Sequence, residues 1–297
     1  MLKIIDFPPK KSQKKRGIDL LITSPHGCWG EPFFQLFPEI LQHHEIVKKE
    51  KTFRNYLNIE HDKGASDIGI SIARHFHESF GLDKRVVFVE ILYPRGILDG
   101  GRLLSHCLRK SLPTDLMHFK KKVFLDIHDN TLVKIDELLE EVQAAKGRII
   151  DIHTMAPSSP KEQVSSTMGL QECFANLDDY VSGYLETSND VTCEKRPIDL
   201  MTQLQDGTVI ADEQFAEQCL KEFTAYDLQA ELNHPYSCAN FYLAGYMFRK
   251  CRGLAIDVPK HLLAKDPQNF RLEDFEVCSK KAFDLGTHIF NAFVLSK

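Results

Sequence analysis

No apolar run in this 297-residue chain approaches the roughly 18–20 residues that a membrane-spanning helix needs. The N-terminus also lacks the continuous apolar region of a signal peptide, so the expected compartment is the cytosol and a membrane is not an expected partner. No two cysteines have the C-x-x-C spacing, which removes a zinc-ribbon framework. In a reducing compartment the eight cysteines are expected to be free thiols. Positive charge is in deficit, with 37 Lys and Arg against 42 Asp and Glu and a net charge of −5. Nothing in that balance attracts a phosphate backbone, so nucleic acid is not an expected partner either. The one basic concentration, Lys10, Lys11, Lys14, Lys15 and Arg16, falls in residues 1–16, read as a solvated N-terminal arm. A nucleophile elbow, a P-loop, a G-x-G-x-x-G turn and an H-E-x-x-H helix are all missing. Cys28 lies close to His26, but no neighbour in the sequence marks it as an activated thiolate.

What is present is a regular alternation. Near-continuous apolar runs at residues 18–23, 86–92, 148–153, 228–232 and 254–258 fit strands covered on both faces. Between them lie helical patterns. One begins near Ser66, a candidate cap, repeats at Ile68, Ile72, Phe76 and Phe80, and closes at Gly81. A second covers 131–146 with Leu132, Ile135, Leu139 and Val142 on one face and ends at Gly147. Others are expected near 212–223 and 273–295. The pattern predicts one α/β domain over residues 17–297, three layers deep, with helices on both sides of a mixed, mostly parallel sheet. Residues 157–206, rich in Ser, Asp and Thr and poorly periodic, read as a possible insertion that covers the substrate.

In open α/β sheets, functional groups gather at the carboxyl ends of strands. Three of the expected strands end in Ser24-Pro25-His26-Gly27, in Asp151-Ile152-His153-Thr154 and in Ile256-Asp257-Val258-Pro259. Two histidines and a carboxylate on one edge can bind a divalent ion and leave a position for water. Asp151 reads either as a partner that orients His153 or as a strand-end hydrogen-bond acceptor. Asp126-Ile127-His128 repeats the spelling but is expected ahead of a helix rather than at the end of a strand.

Taken in order, these motifs resemble the N-formylglutamate amidohydrolase family, relatives of the zinc carboxypeptidases. Ser24-Pro25-His26-Gly27 with Pro32 resembles the family's S-x-P-H-x-G-x-x-x-P turn, and Asp67 the acid of its T-D helix start. The stretch from Arg95 through Asp99 to Arg102 keeps the spacing of R-x-x-x-D-x-N-R. His128 and Asp151-Ile152-His153-Thr154 resemble Y-H…D-x-H-S, and Asn233-His234-Pro235-Tyr236 resembles N-x-P-F. The resemblance implies a zinc-carboxypeptidase-like fold and zinc, or another divalent ion, on His26, His153 and a third ligand. That third ligand would be Asp67, with Glu31 and Asp62 as alternatives. It also implies Arg95 beside the developing oxyanion and Arg102 on the substrate carboxylate, with Asp99, His128 and Asn233 as further substrate-site residues. Two positions depart from the pattern. The Asn before the last Arg is Gly101, and the catalytic Glu is Asp257, so Glu231 stands as the alternative base.

The expected activity is metal-dependent hydrolysis of the amide of a small N-acyl amino acid such as N-formylglutamate. A carboxypeptidase or deacylase acting on a short peptide or larger amide is the nearest alternative. A binding protein with a degraded site is the alternative from another class. The sequence carries no signal for oligomeric state.

Overall fold

The computed structural model describes residues 1–11, 17–158 and 173–296. Its strands are β1 (Leu2–Phe7), β2 (Leu20–Ser24), β3 (Val86–Ile91), β4 (Arg148–Met155), β5 (Ile198–Met201), β6 (Ala230–Leu232) and β7 (Gly253–Pro259). They form one seven-stranded sheet in the order β1-β3-β2-β4-β7-β5-β6. β3, β2, β4 and β7 run parallel. β1 and β5 pair antiparallel with β3 and β7, and β6 runs parallel to β5. The sheet is therefore mixed and mostly parallel.

Four short helices, α1 (Glu31–Leu36), α2 (Pro38–Gln42), α3 (His44–Lys48) and α4 (Glu50–Glu60), follow β2 and lead into α5 (Ala65–Phe80). The remaining helices are α6 (Thr114–Ala145), α7 (Leu177–Asn189), α8 (Glu213–Ala225), α9 (Leu243–Phe248) and α10 (Ser279–Leu295). Strand alternation divides the core into two layers. Leu20 and Ile22 of β2 pack with α5, α8 and α10, whereas Leu21 packs with α1 to α4, α6, α7 and α9. Each fully buried Leu or Ile contributes about 1.5–3 kcal/mol, so the continuous runs in β2, β3, β4 and β7 hold the centre of the sheet. No helix of the described residues is long and apolar enough to cross a membrane.

The structure corrects several sequence expectations. The N-terminal segment is not simply a solvated arm, because Leu2–Phe7 pairs with β3 along its whole length. Arg85 fastens it further, through Asp6 at 2.8 Å and through Glu141. Residues 12–16 lie outside the described residues. Ser66 does not cap α5. The cap position is Gly64, at φ 96°, and the Ser66 hydroxyl donates to Glu90 instead. α6 starts at Thr114, directly after Pro113, so His128 sits inside a helix rather than ahead of one. Residues 157–206 contain α7 and β5 and so belong partly to the fold. Residues 159–172 of that stretch lie outside the described residues.

Candidate active site

The four parallel strands send their carboxyl ends to one edge of the sheet, and the polar groups collect there. His26 follows β2 by two residues. Asp62 lies in the turn between α4 and α5, where its N–H donates to the His26 carbonyl at 2.9 Å. His153 lies within β4, and Asp257 of β7 is its partner in register. Asp62 Oδ2 is 3.2 Å from His26 Nδ1 and 3.0 Å from His153 Nδ1. The three ligand atoms all lie within 4.8 Å of one another.

The far side of each ring also meets a carboxylate. His26 Nε2 is 2.8 Å from Asp99 Oδ1, and His153 Nε2 is 3.0 Å from Asp151 Oδ2. Both nitrogens of each ring face a carboxylate, so a cation held at the Nδ1 atoms would leave the ring protons on Nε2, donated to Asp99 and Asp151. The Gly101 N–H lies 3.0 Å from His26 Nε2 and 3.1 Å from Asp99 Oδ1. With Nε2 protonated, that amide donates to Asp99. Both Nδ1 atoms then turn lone pairs toward Asp62 Oδ2. Three buried acceptors converging on one point require a cation among them, either a proton or a metal ion. Imidazoles held from behind by carboxylates are the usual form of histidine ligands. The donor set thus fits a divalent metal.

Burial pushes the Asp62 carboxyl up, but His26, His153 and Arg95 outweigh it and hold its pKa well below the ordinary carboxylate range. Burial works against a charged His153, yet Asp151 and Asp62 outweigh it and raise its pKa well above the usual value. Asp257 behaves oppositely. Burial, reinforced by the nearby Asp62, pushes its carboxyl up to about 6. Its Oδ1 has no hydrogen-bond partner among the described residues. Lys260 is fully buried and donates to the Ile59 carbonyl at 2.7 Å, tying the end of β7 to the segment that leads to Asp62. Burial lowers its pKa to about 8.

An ion network forms the adjoining wall. Asp99 Oδ2 lies 3.0 Å from both Arg102 Nε and Arg109 Nη1. Glu60 Oε2 lies 3.0 Å from Arg109 and 3.4 Å from Arg95, and Arg95 Nη1 is 3.3 Å from Asp62 Oδ1. Tyr180 of α7 donates its hydroxyl to Glu60. Arg95, Arg102, Arg109, Glu60, Asp99 and Tyr180 line a cleft together with Tyr184, Arg196 and Tyr236, and His26, His153 and Asp257 are also in its lining.

The structure brings together His26, His153, Asp257, Arg95, Arg102 and Asp99 among the residues singled out in the sequence. Others lie elsewhere. Asp67 is exposed on α5, where burial of part of the carboxyl and the nearby Glu90 raise its pKa; Asp62 takes its place in the cluster. Glu231 is exposed on β6 at the sheet edge, outside the cleft lining. Asn233 serves a turn, accepting the N–H groups of Thr202 and Gln203 at 2.8 and 3.1 Å. His128 is buried, accepts from the Tyr93 hydroxyl at 2.7 Å and donates to the Arg102 carbonyl at 2.8 Å, so it supports the Arg102 loop from behind. Glu31 is exposed. The Cys28 thiol is pushed up to about 11, chiefly by burial, which removes it as a thiolate nucleophile. Glu60, Arg109, Arg196 and Lys260 gave no signal in the sequence, because each acquires its role from partners distant along the chain.

No protein-family description matches this sequence, and no curated protein does. Solved structures do match along nearly the whole chain. The N-formylglutamate amidohydrolase from Ralstonia eutropha superposes with a TM-score of 0.51 over 97% of this chain and 97% of that one, at 12% identity. A gene product of Agrobacterium tumefaciens gives 0.52 over 99% and 94%, at 16% identity. This chain has their fold. The mixed sheet with helices on both sides, expected from the sequence, is the one these structures share.

Gly101, one of the two departures from the resembled motif, has a steric cause. A Cβ at this position would stand 2.7 Å from both Cε1 and Nε2 of His26. The ring orientation that faces Nδ1 to Asp62 therefore leaves no room for the Asn of the motif. Gly101→Asn is expected to turn His26 away, weakening metal affinity by about 10–100-fold and costing about 1–3 kcal/mol of stability. Metal titration and a thermal melt check this. Wild-type metal affinity in the variant would contradict the assigned ring orientation.

Proposed function

We propose that this chain is a metal-dependent amidohydrolase acting on a small N-acyl amino acid, of which N-formylglutamate is one example. The observation that carries the reading is the convergence of His26 Nδ1, His153 Nδ1 and Asp62 Oδ2, with His26, His153 and Asp257 lining one cleft. The fold likeness to an N-formylglutamate amidohydrolase supports it. A divalent ion held by these three residues, zinc in the first instance, would polarise the amide carbonyl and acidify a water enough to attack near neutral pH.

The chain's own residues supply the rest. Asp257, ionised above about pH 6, takes a proton from the attacking water at its unpartnered Oδ1 and returns it to the departing amine. Asp257 stands on the strand beside His153. Arg95 is the most exposed of the three arginines on its wall, at 30% for the side chain. It is placed to meet the carbonyl oxygen as negative charge develops there. Tyr180 and Tyr184 of α7 also line the cleft.

The test is hydrolysis of N-formyl and N-acetyl amino acids, followed by release of the free amine, with chelator-stripped and zinc-reloaded protein. Activity should vanish on stripping and return in proportion to the metal restored. Full hydrolysis by the stripped protein would contradict the mechanism, and faster removal of a C-terminal residue from a peptide would move the reading to a carboxypeptidase.

A further inference from the structure

Asp62, the carboxylate of the cluster, is carried on no strand. It lies in the short turn between α4 and α5, so its direction depends on how that turn is held. Three central strands fasten it. Beyond the end of β2, the Gly27 carbonyl accepts from His61 Nε2 at 3.0 Å and the His26 carbonyl from the Asp62 N–H at 2.9 Å. Thr154 of β4 donates its hydroxyl to the Lys63 carbonyl at 3.3 Å. Lys260, the residue after β7, donates to the Ile59 carbonyl at 2.7 Å. Ile59 lies in the last turn of α4, where a carbonyl has no partner within its own helix. Lys260 is the charged donor among these four bonds, and it is fully buried. Burial lowers its pKa to about 8, against Asp62 and Glu60, which favour the charged form. It is therefore an ammonium at neutral pH.

We propose that Lys260 is a positioning residue of the cation site, holding the 59–62 turn before any ion arrives so that Asp62 already faces His26 and His153. This rests on the metal-site reading above. A buried ammonium that left the Ile59 carbonyl would strand both a charge and an acceptor, so the bond is hard to break. A turn fixed in advance spares the ion the entropy of ordering its own ligand. The charge of the ammonium acts in the other direction, because it repels a cation. The two effects give opposite results when the ammonium is removed. Loss of the anchor weakens metal binding, whereas loss of the like charge alone strengthens it.

The experiment titrates chelator-stripped wild type and Lys260→Met with zinc by calorimetry, well below the melting temperature of each. Met keeps an apolar stem and removes both the donor and the charge. Lys260→Met should bind zinc roughly 10- to 100-fold more weakly, the span usual for a residue that orients a ligand. Affinity equal to or tighter than that of the wild type overturns the proposal, even where the melt is lowered, since a merely structural lysine moves the melt alone. Zinc bound by neither protein brings down the metal-site reading and this proposal with it. Zinc bound equally by both brings down this proposal alone. If Lys260→Met does not fold, hydrogen exchange of the metal-free wild type decides. Slow exchange of the Asp62 N–H before zinc is added supports a turn held in advance, and fast exchange that only zinc slows overturns it.

Discussion

Asp257→Asn should lower kcat for amide hydrolysis by roughly 10³-fold, within the span usual for a general acid–base group, and leave metal binding intact. Asp257 touches neither Nδ1 atom of the cluster, so its loss removes a proton carrier and not a ligand. The pH dependence has a definite sign. With its carboxyl pushed up to about 6 by burial and by Asp62, activity needing the ionised form rises with pH and levels off. A bound cation favours the carboxylate, so the acid limb of kcat/KM falls at or below pH 6. The stability of the metal-free protein moves the other way. A carboxyl whose folded pKa exceeds its unfolded value costs stability that appears as pH rises from about 4 to about 6. Asp257→Asn removes that cost. The variant should melt higher than wild type at pH 8 and show little difference at pH 4. A lower melt at pH 8 would show that Asp257 is a structural anchor instead.

Asp62→Ala should abolish tight metal binding, with an effect well beyond the roughly 10–100-fold expected for a residue that only orients a ligand. Asp67→Ala should leave binding unchanged, since Asp67 is exposed on α5 and outside the cluster. The pair separates the two acids directly. Affinity in the wild type should also strengthen with rising pH, because the proton held on His153 by Asp151 and Asp62 must leave before Nδ1 can serve as a ligand.

Much of this fold was legible because its central strands are buried on both faces and spell themselves as apolar runs. β1 was not, for it lies at the sheet edge, is half exposed and runs toward a lysine-rich stretch. β5 has only four residues, too few for a period to show. The N-terminal half of α6 buries Leu116, Phe124 and His128 but also carries Lys120, Lys121 and Lys122 and an exposed Phe119, which mask its helical period. In the site, His26 and His153 were legible because strand ends collect functional groups. The third acid was harder to place. Asp67 opens a helix, but the helix turns it outward, whereas Asp62 sits in a turn whose direction depends on a backbone bond to His26. Arg196 lay beyond sequence reading altogether. Its position depends on Tyr236, which depends on Asp199, which depends on antiparallel pairing between β5 and β7.

The central claim is that His26, Asp62 and His153 form a cation site, and calorimetric titration of chelator-stripped protein with zinc tests it most directly. One ion per chain should bind to the wild type, and none tightly to His153→Ala or Asp62→Ala whose circular dichroism matches the wild type. A folded wild type that binds no divalent ion, or variants that bind it as well as the wild type, would contradict the account.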